Sequence, residues 1–211
     1  MKEVLSYHHS QIEKSTVLVN LGVEIGRYFV VSAHREENVD NEINFSSLIE
    51  TLQAVADRFN LPIIVSTHPR TRKRLEDRGL SGFDDRIRFL KPLGFFDYIN
   101  LQKNAYCVIS DSGTITEESS ILNFPAVTIR QAHERPEGMD EGTLIMCGLE
   151  ARQVVKCIEV VTAQHQGVDR IFKMVQDYDS DVVSKKVLRI ILSYTGYVNR
   201  TVWSKMRKSH E

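Results

Sequence analysis

Short apolar runs alternate with segments in which apolar residues recur at helical spacing, and this alternation constrains the fold most. Each apolar run has the length of a buried strand, and helical segments separate most consecutive runs. Parallel strands need such crossovers, so the pattern predicts an α/β protein with a Rossmann-like, three-layer parallel sheet. The predicted strands are Tyr28–Ser32, Ile63–Thr67, Ile87–Leu90, Tyr106–Ser110, Ala126–Ile129 and Leu144–Met146.

Helical spacing predicts crossover helices between these strands and a helical C-terminal tail. The closing helix, Val182–Arg207, is long, with Gly196 as a candidate interruption. The other predicted helices are Phe45–Asn60, Pro69–Arg78, Phe95–Asn104, Thr114–Leu122, Ala151–Gln164 and Ile171–Asp177.

Charge and cysteine usage exclude several classes of protein. Lysine and arginine number 27 against 28 acidic residues, so the net charge of −1 gives no case for nucleic acid or an anionic membrane as the main partner. Cys107, Cys147 and Cys157 lie in apolar surroundings without C-x-x-C spacing, which is typical of reduced core thiols. No apolar run reaches the roughly 18 residues of a membrane span, and a cytoplasmic location is expected.

Polar residues follow the carboxyl ends of five consecutive predicted strands. Because the carboxyl ends of parallel strands meet at one edge of a sheet, these residues should converge where open α/β sheets bind ligands. No group has the histidine and carboxylate company of a metal site, so no metal and no cofactor are expected. The segments are Ala33–Asn38, His68–Arg70, Lys91–Gly94, Asp111–Thr114 and Arg130–Gly138.

The segment Asp111–Thr114 joins a predicted strand to a predicted helix. Unpartnered backbone N–H groups at a helix start suit a diphosphate, and Gly113 permits close approach of the backbone. A carboxylate one turn later, Glu117 or Glu118, could accept hydrogen bonds from ribose hydroxyls. The alternative is structural, with Ser112 as a helix cap and the acidic residues completing a capping arrangement.

Several strings together resemble the C-terminal half of the non-hydrolysing UDP-N-acetylglucosamine 2-epimerases. They are S-A-H-R-E-E-N, T-H-P-R, D-S-G-x-x-x-E-E and E-R-P-E-G-x-x-x-G-T. Longer strings resemble the capsule and O-antigen branch that makes UDP-N-acetyl-L-fucosamine, namely H-P-R-T-R-K-R-L, F-L-K-P-L-G-F-F-D-Y and A-H-E-R-P-E-G-M-D-E-G-T. One departure is Thr114, where the commoner family pattern has a second glycine.

The resemblance implies a role for each matched residue. His34 would act on the leaving diphosphate, with capping of a strand end as its alternative. UDP would contact Ser112, Gly113, Thr114, Glu118, Arg135 and Tyr98. Glu118 would hold the ribose, whereas Glu117 would pack or cap the helix. Two of the UDP contacts have alternatives: Tyr98 could belong to a core stripe, and Arg135 could pair with Glu134 or Glu137.

Arg35 and His68 match positions that in some bacterial members touch a second, regulatory UDP-sugar. Family members have two Rossmann-like halves in the manner of GT-B glycosyltransferases, and the half with the carboxylates that handle the C2 proton is not in this sequence. Residues 1–22 would then be a helical lead-in from that half, residues 23–180 the UDP-binding domain, and residues 181–211 a helix that returns to the first half.

The expected partners are UDP and a UDP-N-acetylhexosamine, and a homo-oligomer is expected because the closing helix would expose apolar side chains. Two other readings stay open. The chain could be the donor-binding half of a GT-B glycosyltransferase, or a non-catalytic module that binds UDP-sugars.

Overall fold

The protein is described by a computed structural model for residues 1–67, 71–72, 74–75, 83–132, 135–163 and 169–205. Among these residues six strands form one parallel sheet in the order β3-β2-β1-β4-β5-β6. This confirms the predicted Rossmann-like parallel sheet. The strands are β1 Phe29–Ser32, β2 Ile63–Ser66, β3 Ile87–Leu90, β4 Cys107–Ser110, β5 Ala126–Thr128 and β6 Ile145–Met146.

The central strands are β1 and β4, and both are almost wholly buried. Their β-branched and aromatic side chains suit a sheet that is covered on both faces. The chain runs outward from β1 toward β3 and then, from β4, toward the opposite edge. The carboxyl ends of β1 and β4 therefore flank the point where the strand order reverses, which is where open α/β sheets bind ligands.

Helices precede the sheet, cover both of its faces and follow it. The long crossover after β1 begins at Asn41, whose side chain accepts from the backbone N–H groups of Ile43 and Asn44, and ends at Asn60 in the left-handed conformation. The helices are α1 Lys2–Tyr7, α2 His9–Glu13, α3 Val17–Leu21, α4 Glu36–Val39, α5 Glu42–Phe59, α6 Phe95–Lys103, α7 Thr114–Leu122, α8 Pro136–Asp140, α9 Ala151–Thr162 and α10 Val183–Thr201.

Two apolar clusters separate the three layers. On one face, α5 and α9 pack against the sheet through residues such as Phe45, Leu52 and Ile158. On the other face, α3, α6 and α7 contribute Val17, Leu101 and Ile115. All three cysteines lie within the described residues and are buried free thiols, as their apolar surroundings predicted.

Two predictions about the tail are wrong. A helix was predicted over Ile171–Asp177, but the structure has a single 3-10 turn at Gln176–Tyr178. Here the chain is held by other residues: Arg170 donates to the carbonyls of Ser120 and Ile121, and the N–H of Val175 donates to the Ser120 hydroxyl. Gly196 does not interrupt α10, because a single exposed glycine costs a helix only about 1 kcal/mol. Most of the predicted helix Pro69–Arg78 lies outside the described residues.

Helix α10 leaves its apolar side chains in contact with solvent. None of its residues, all of which the structure describes, is buried. Val187, Ile191 and Tyr194 recur at helical spacing with exposed fractions of 47%, 55% and 58%. The start of α10 is held to α1, since the N–H of Ser184 donates to Glu3 over 2.8 Å. Such an exposed stripe indicates a surface that becomes covered in a larger assembly.

Within the described residues, no helix combines the length and the apolar character needed to cross a membrane.

The exposed stripe predicts that the 211-residue chain self-associates in solution. Sedimentation velocity should show a sedimentation coefficient that rises with concentration, and Ile191→Glu should suppress the rise by placing a charge in the stripe. Ser193→Glu, on the opposite side of α10, is the matched control and should leave the rise unchanged. A strictly monomeric wild-type profile at high concentration would contradict the prediction.

Candidate nucleotide site

The candidate site lies where β1 and β4 end side by side. Ser32 and Ser110 are register partners at the last positions of these strands. The N–H of Asp111 then donates to the Ser32 carbonyl over 3.1 Å, so the pairing continues for one residue beyond the strands. The sheet therefore brings the Ala33–Asn38 segment against the Asp111–Thr114 segment, as the order of the strand ends predicted.

Asp111 is the centre of this contact. Its side chain is fully buried, and its carboxylate accepts from the backbone N–H groups of His34, at 3.0 Å, and Arg35, at 2.9 Å. The side-chain amide of Asn38 donates to the same carboxylate over 3.0 Å. A buried carboxylate is tolerated only when such donors surround it, so Asp111 fixes the course of the loop after β1.

His34 forms the wall of the site nearest to Asp111. Its Nδ1 lies 3.2 Å from Asp111 Oδ1, while the imidazole remains 44% exposed. A carboxylate at Nδ1 orients the ring, which leaves Nε2 directed away from the carboxylate. His34 is therefore an oriented, partly exposed imidazole at the sheet edge.

The first turn of α7 has two hydroxyl groups close together. Ser112 Oγ and Thr114 Oγ1 are 3.0 Å apart, and Ser112 Oγ accepts from the N–H of Thr114 over 3.3 Å. Ser112 therefore does perform part of a capping role, although α7 has Gly113 at its N-cap position. Hydroxyl and N–H groups at the positive end of a helix dipole are also suitable donors for a phosphate.

Glu118 points into the fold one turn further along α7. It is 5% exposed and accepts from the Gln102 side chain over 3.1 Å. Burial raises the pKa of Glu118 above its ordinary value, against the opposing effect of hydrogen bonds from Gln102 and Thr114. Burial also raises the pKa of Tyr98, whose ring packs against the neighbouring apolar cluster. The two predicted nucleoside contacts therefore both lie beside the Gln102 side chain.

Arg135 is tied to the Asp111–Thr114 segment. Its Nη1 donates to the Gly113 carbonyl over 2.6 Å and lies 2.7 Å from Glu117 Oε1. Among the described residues its partner is thus Glu117 and not Glu137, which accepts instead from the Tyr178 hydroxyl over 2.6 Å. Glu134, the other partner that the sequence suggested, lies outside the described residues. Glu117 forms this ion pair and is not simply a packing or capping residue.

Two predicted contacts remain, Arg35 and His68. Arg35 lies beside the site, since its Nε donates to the Asp111 carbonyl over 3.0 Å. His68 lies outside the described residues. Asp111 and Asn38 were not predicted as functional residues. The available signal was an aspartate directly after a buried strand, because a charge in that place needs several donors.

Comparisons with known proteins identify the family of the chain. The profile of the family described as UDP-N-acetylglucosamine 2-epimerase matches residues 1–192. The solved UDP-N-acetylglucosamine 2-epimerase of Rickettsia bellii is 50% identical with a TM-score of 0.87, over 96% of this chain and 54% of that chain. The Methanocaldococcus jannaschii enzyme, solved in complex with UDP-GlcNAc and UDP, is 28% identical with a TM-score of 0.79, over 91% and 52%.

Among curated relatives, the UDP-N-acetylglucosamine 2-epimerase of Methanococcus maripaludis is 36% identical over 136 residues, which are 63% of this chain and 37% of the relative. The chain thus spans about half of the solved relatives, with 54% and 52% of their chains covered. Because the family profile extends from the first helices into α10 and is not confined to the site, the chain belongs to the UDP-N-acetylglucosamine 2-epimerase family.

Proposed function

We propose that this chain is the UDP-binding half of a UDP-N-acetylhexosamine 2-epimerase that acts in capsule or O-antigen sugar nucleotide biosynthesis. The observation that supports it most is the exposed imidazole of His34, paired with buried Asp111 beside the first turn of α7. In this proposal His34 is the proton donor, and the first turn of α7 supplies hydrogen-bond donors at the same sheet edge. A leaving diphosphate requires both.

The proposed reaction inverts C2 of the sugar by elimination and re-addition. A base takes the C2 proton, the anomeric C–O bond breaks with anti geometry, and UDP leaves with the bonding electron pair to give a 2-acetamidoglycal. UDP then adds back at C1 while a proton is delivered to the other face of C2. In this scheme the carboxylates that handle the C2 proton lie on the half that is not in this sequence, and this half holds UDP.

The role of His34 is to stabilise the negative charge that develops on the departing diphosphate oxygen. With Asp111 at Nδ1, the Nε2–H can donate to this oxygen as the C–O bond breaks. The Ser112–Thr114 turn binds the diphosphate in both the bound and the eliminated state. Arg135, held by Glu117 and the Gly113 carbonyl, adds a positive charge beside the same turn.

We assign residues 1–22 to a lead-in from the other half, residues 23–180 to the UDP-binding domain, and residues 181–211 to a helix that crosses back to the other half. The exposed stripe of α10 supports this assignment, because a two-half protein would cover it. In the proposed arrangement the sugar lies between the halves, and Arg35 and His68 are candidate contacts for a regulatory UDP-sugar.

The direct test uses the two-half protein with each UDP-N-acetylhexosamine, including UDP-N-acetyl-L-fucosamine. Mass spectrometry should detect UDP and a 2-acetamidoglycal, and in D₂O the sugar nucleotide should gain one deuterium at C2. Transfer of the sugar to an acceptor without C2 exchange would instead identify a glycosyltransferase. Binding without any turnover in the two-half protein would identify a non-catalytic UDP-sugar module.

Two substitutions in α7 and its N-terminal turn should separate ribose binding from phosphate binding. We expect Glu118→Ala to weaken uridine and UDP by similar factors, because both ligands contain the ribose. Ser112→Ala should weaken UDP at least about tenfold and uridine little, since a hydrogen bond to a charged group contributes about 1.5–3 kcal/mol. Calorimetric titration of both ligands into both variants measures the asymmetry.

Ser193→Ala on the exposed face of α10 is the matched control for Ser112→Ala and should bind both ligands as the wild type does. Circular dichroism melts of each variant establish that α7 is intact. Equal losses for both ligands in both variants would show that the turn is not the diphosphate site.

A further inference from the structure

A small cavity of about 20 Å³ opens beside the first turn of α7, between the end of β5 and α8. Ser112 and Gly113 form its rim, and Thr128 and Arg130 line its wall. Neither Thr128 nor Arg130 has a role in the proposed epimerisation. The cavity is therefore adjacent to the diphosphate turn but extends beyond it.

Thr128 presents an unusual hydroxyl group. The residue is 6% exposed, and its Oγ1 is buried without a hydrogen-bond partner among the described residues. An unsatisfied buried hydroxyl destabilises the fold, and valine would fill the same space in β5 without that cost. A ligand that accepts a hydrogen bond from Oγ1 would remove the penalty.

The groups around the cavity favour a negative charge. Arg130, itself 7% exposed, and Arg135 both contribute to the wall. The nine-residue helix α7 directs its N-terminus toward the same space. Among the lining residues that the structure describes there is no carboxylate, although Glu117 pairs with Arg135 from outside the lining.

We propose that this cavity binds a small monatomic anion of the size of chloride, with Thr128 Oγ1 and Arg130 as its side-chain ligands. The rest of the wall is apolar, and Met139, Leu144 and Met146 would leave several oxygens of a phosphate ion without donors. A halide needs only a few donors on one side. Hydroxyl, guanidinium and helix N-terminus together supply them.

Thermal unfolding in chloride and in gluconate, at equal ionic strength, tests the proposal on the 211-residue chain. At ten times the dissociation constant, chloride should raise the wild-type Tm by about 3–6 °C relative to gluconate. Thr128→Val should abolish this difference while leaving the Tm in gluconate equal to or above that of the wild type.

Thr51→Val is the matched control, because Thr51 is also a buried threonine but its hydroxyl donates to the Leu149 carbonyl over 3.0 Å. This variant should melt at a lower temperature yet keep the full chloride response. A chloride response that survives in Thr128→Val would overturn the proposal.

Bromide supplies a structural test, since it replaces chloride and scatters anomalously. Crystals soaked in sodium bromide should show an anomalous peak within about 3.5 Å of Thr128 Oγ1, a typical hydrogen-bond distance for a large anion. The same soak of Thr128→Val should lack the peak. A water molecule in the cavity of the soaked wild-type crystals, with no anomalous signal, would refute the anion site.

One consequence rests on the proposed UDP-binding function. An anion in the cavity would repel a diphosphate at Ser112 and Gly113, so wild-type UDP affinity should be several-fold lower in chloride than in gluconate. Thr128→Val should bind UDP equally in both salts. If UDP binds in neither salt, the nucleotide site is wrong, whereas the melting and bromide measurements still decide the anion site.

Discussion

His34→Asn lowers the kcat of the two-half protein at least about a hundredfold and leaves UDP affinity nearly unchanged, if His34 stabilises the leaving diphosphate. The side chain acts on charge that develops only as the anomeric bond breaks, so the transition state loses more than the bound complex. Asparagine can still accept or donate near the position of Nδ1, which should preserve the loop around Asp111. Steady-state kinetics and calorimetry of UDP binding measure the two quantities separately.

Arg27→Gln is the matched control for the loss of a surface cation, because Arg27 lies at the opposite end of β1 and its nearest ion pair, with Glu24, is exposed. It should keep full kcat. A His34→Asn variant that loses UDP affinity in proportion to its rate would make His34 a ground-state phosphate ligand, and the leaving-group role would pass to Arg135. Unchanged rate and affinity would leave His34 a structural residue.

The 211-residue chain alone should bind UDP but show no epimerisation, because the proposed proton-handling carboxylates lie on the other half. One wall of a cleft can hold the nucleotide, yet it cannot remove the C2 proton or keep water from the glycal. Deuterium incorporation at C2 in D₂O is the sensitive measurement, since it records even a partial reaction. Adding the missing half as a separate polypeptide should restore exchange.

Measurable C2 exchange by the isolated chain, in a preparation free of host epimerase, would contradict the assignment of proton transfer to the other half. The His34→Asn chain is the control for contamination, because a contaminating enzyme would be unaffected by the substitution. Exchange that disappears with His34→Asn would show that this half is catalytically sufficient.

The sheet could be predicted from sequence because buried parallel strands are short apolar runs that local composition reveals. Strand ends such as Ile87–Leu90 agree with the structure to the residue. The structure of the tail after α9 was harder to predict. The segment Ile171–Asp177 has helical apolar spacing, but hydrogen bonds that involve Arg170 and Ser120 hold the chain in another conformation. Contacts between segments distant in the chain override local helical preference.

The candidate site, too, could be predicted only in part. Strand ends placed His34 and Ser112 at one edge of the sheet, because parallel topology fixes where those ends meet. The ion pair between Arg135 and Glu117 could not be predicted, since it joins a loop to the first turn of α7. The role of Asp111 was not predicted, because its burial becomes evident only when β1 lies beside β4.

The burial of Asp111 has a consequence for the thermodynamics of ligand binding. Its carboxylate holds two backbone N–H groups and the Asn38 side chain in the free protein. The loop that bears His34 is thus ordered before any nucleotide arrives, and little conformational entropy remains to be lost on binding. Binding at this wall should therefore show a small entropic penalty and nearly rigid-body association, with any large rearrangement confined to the approach of the other half.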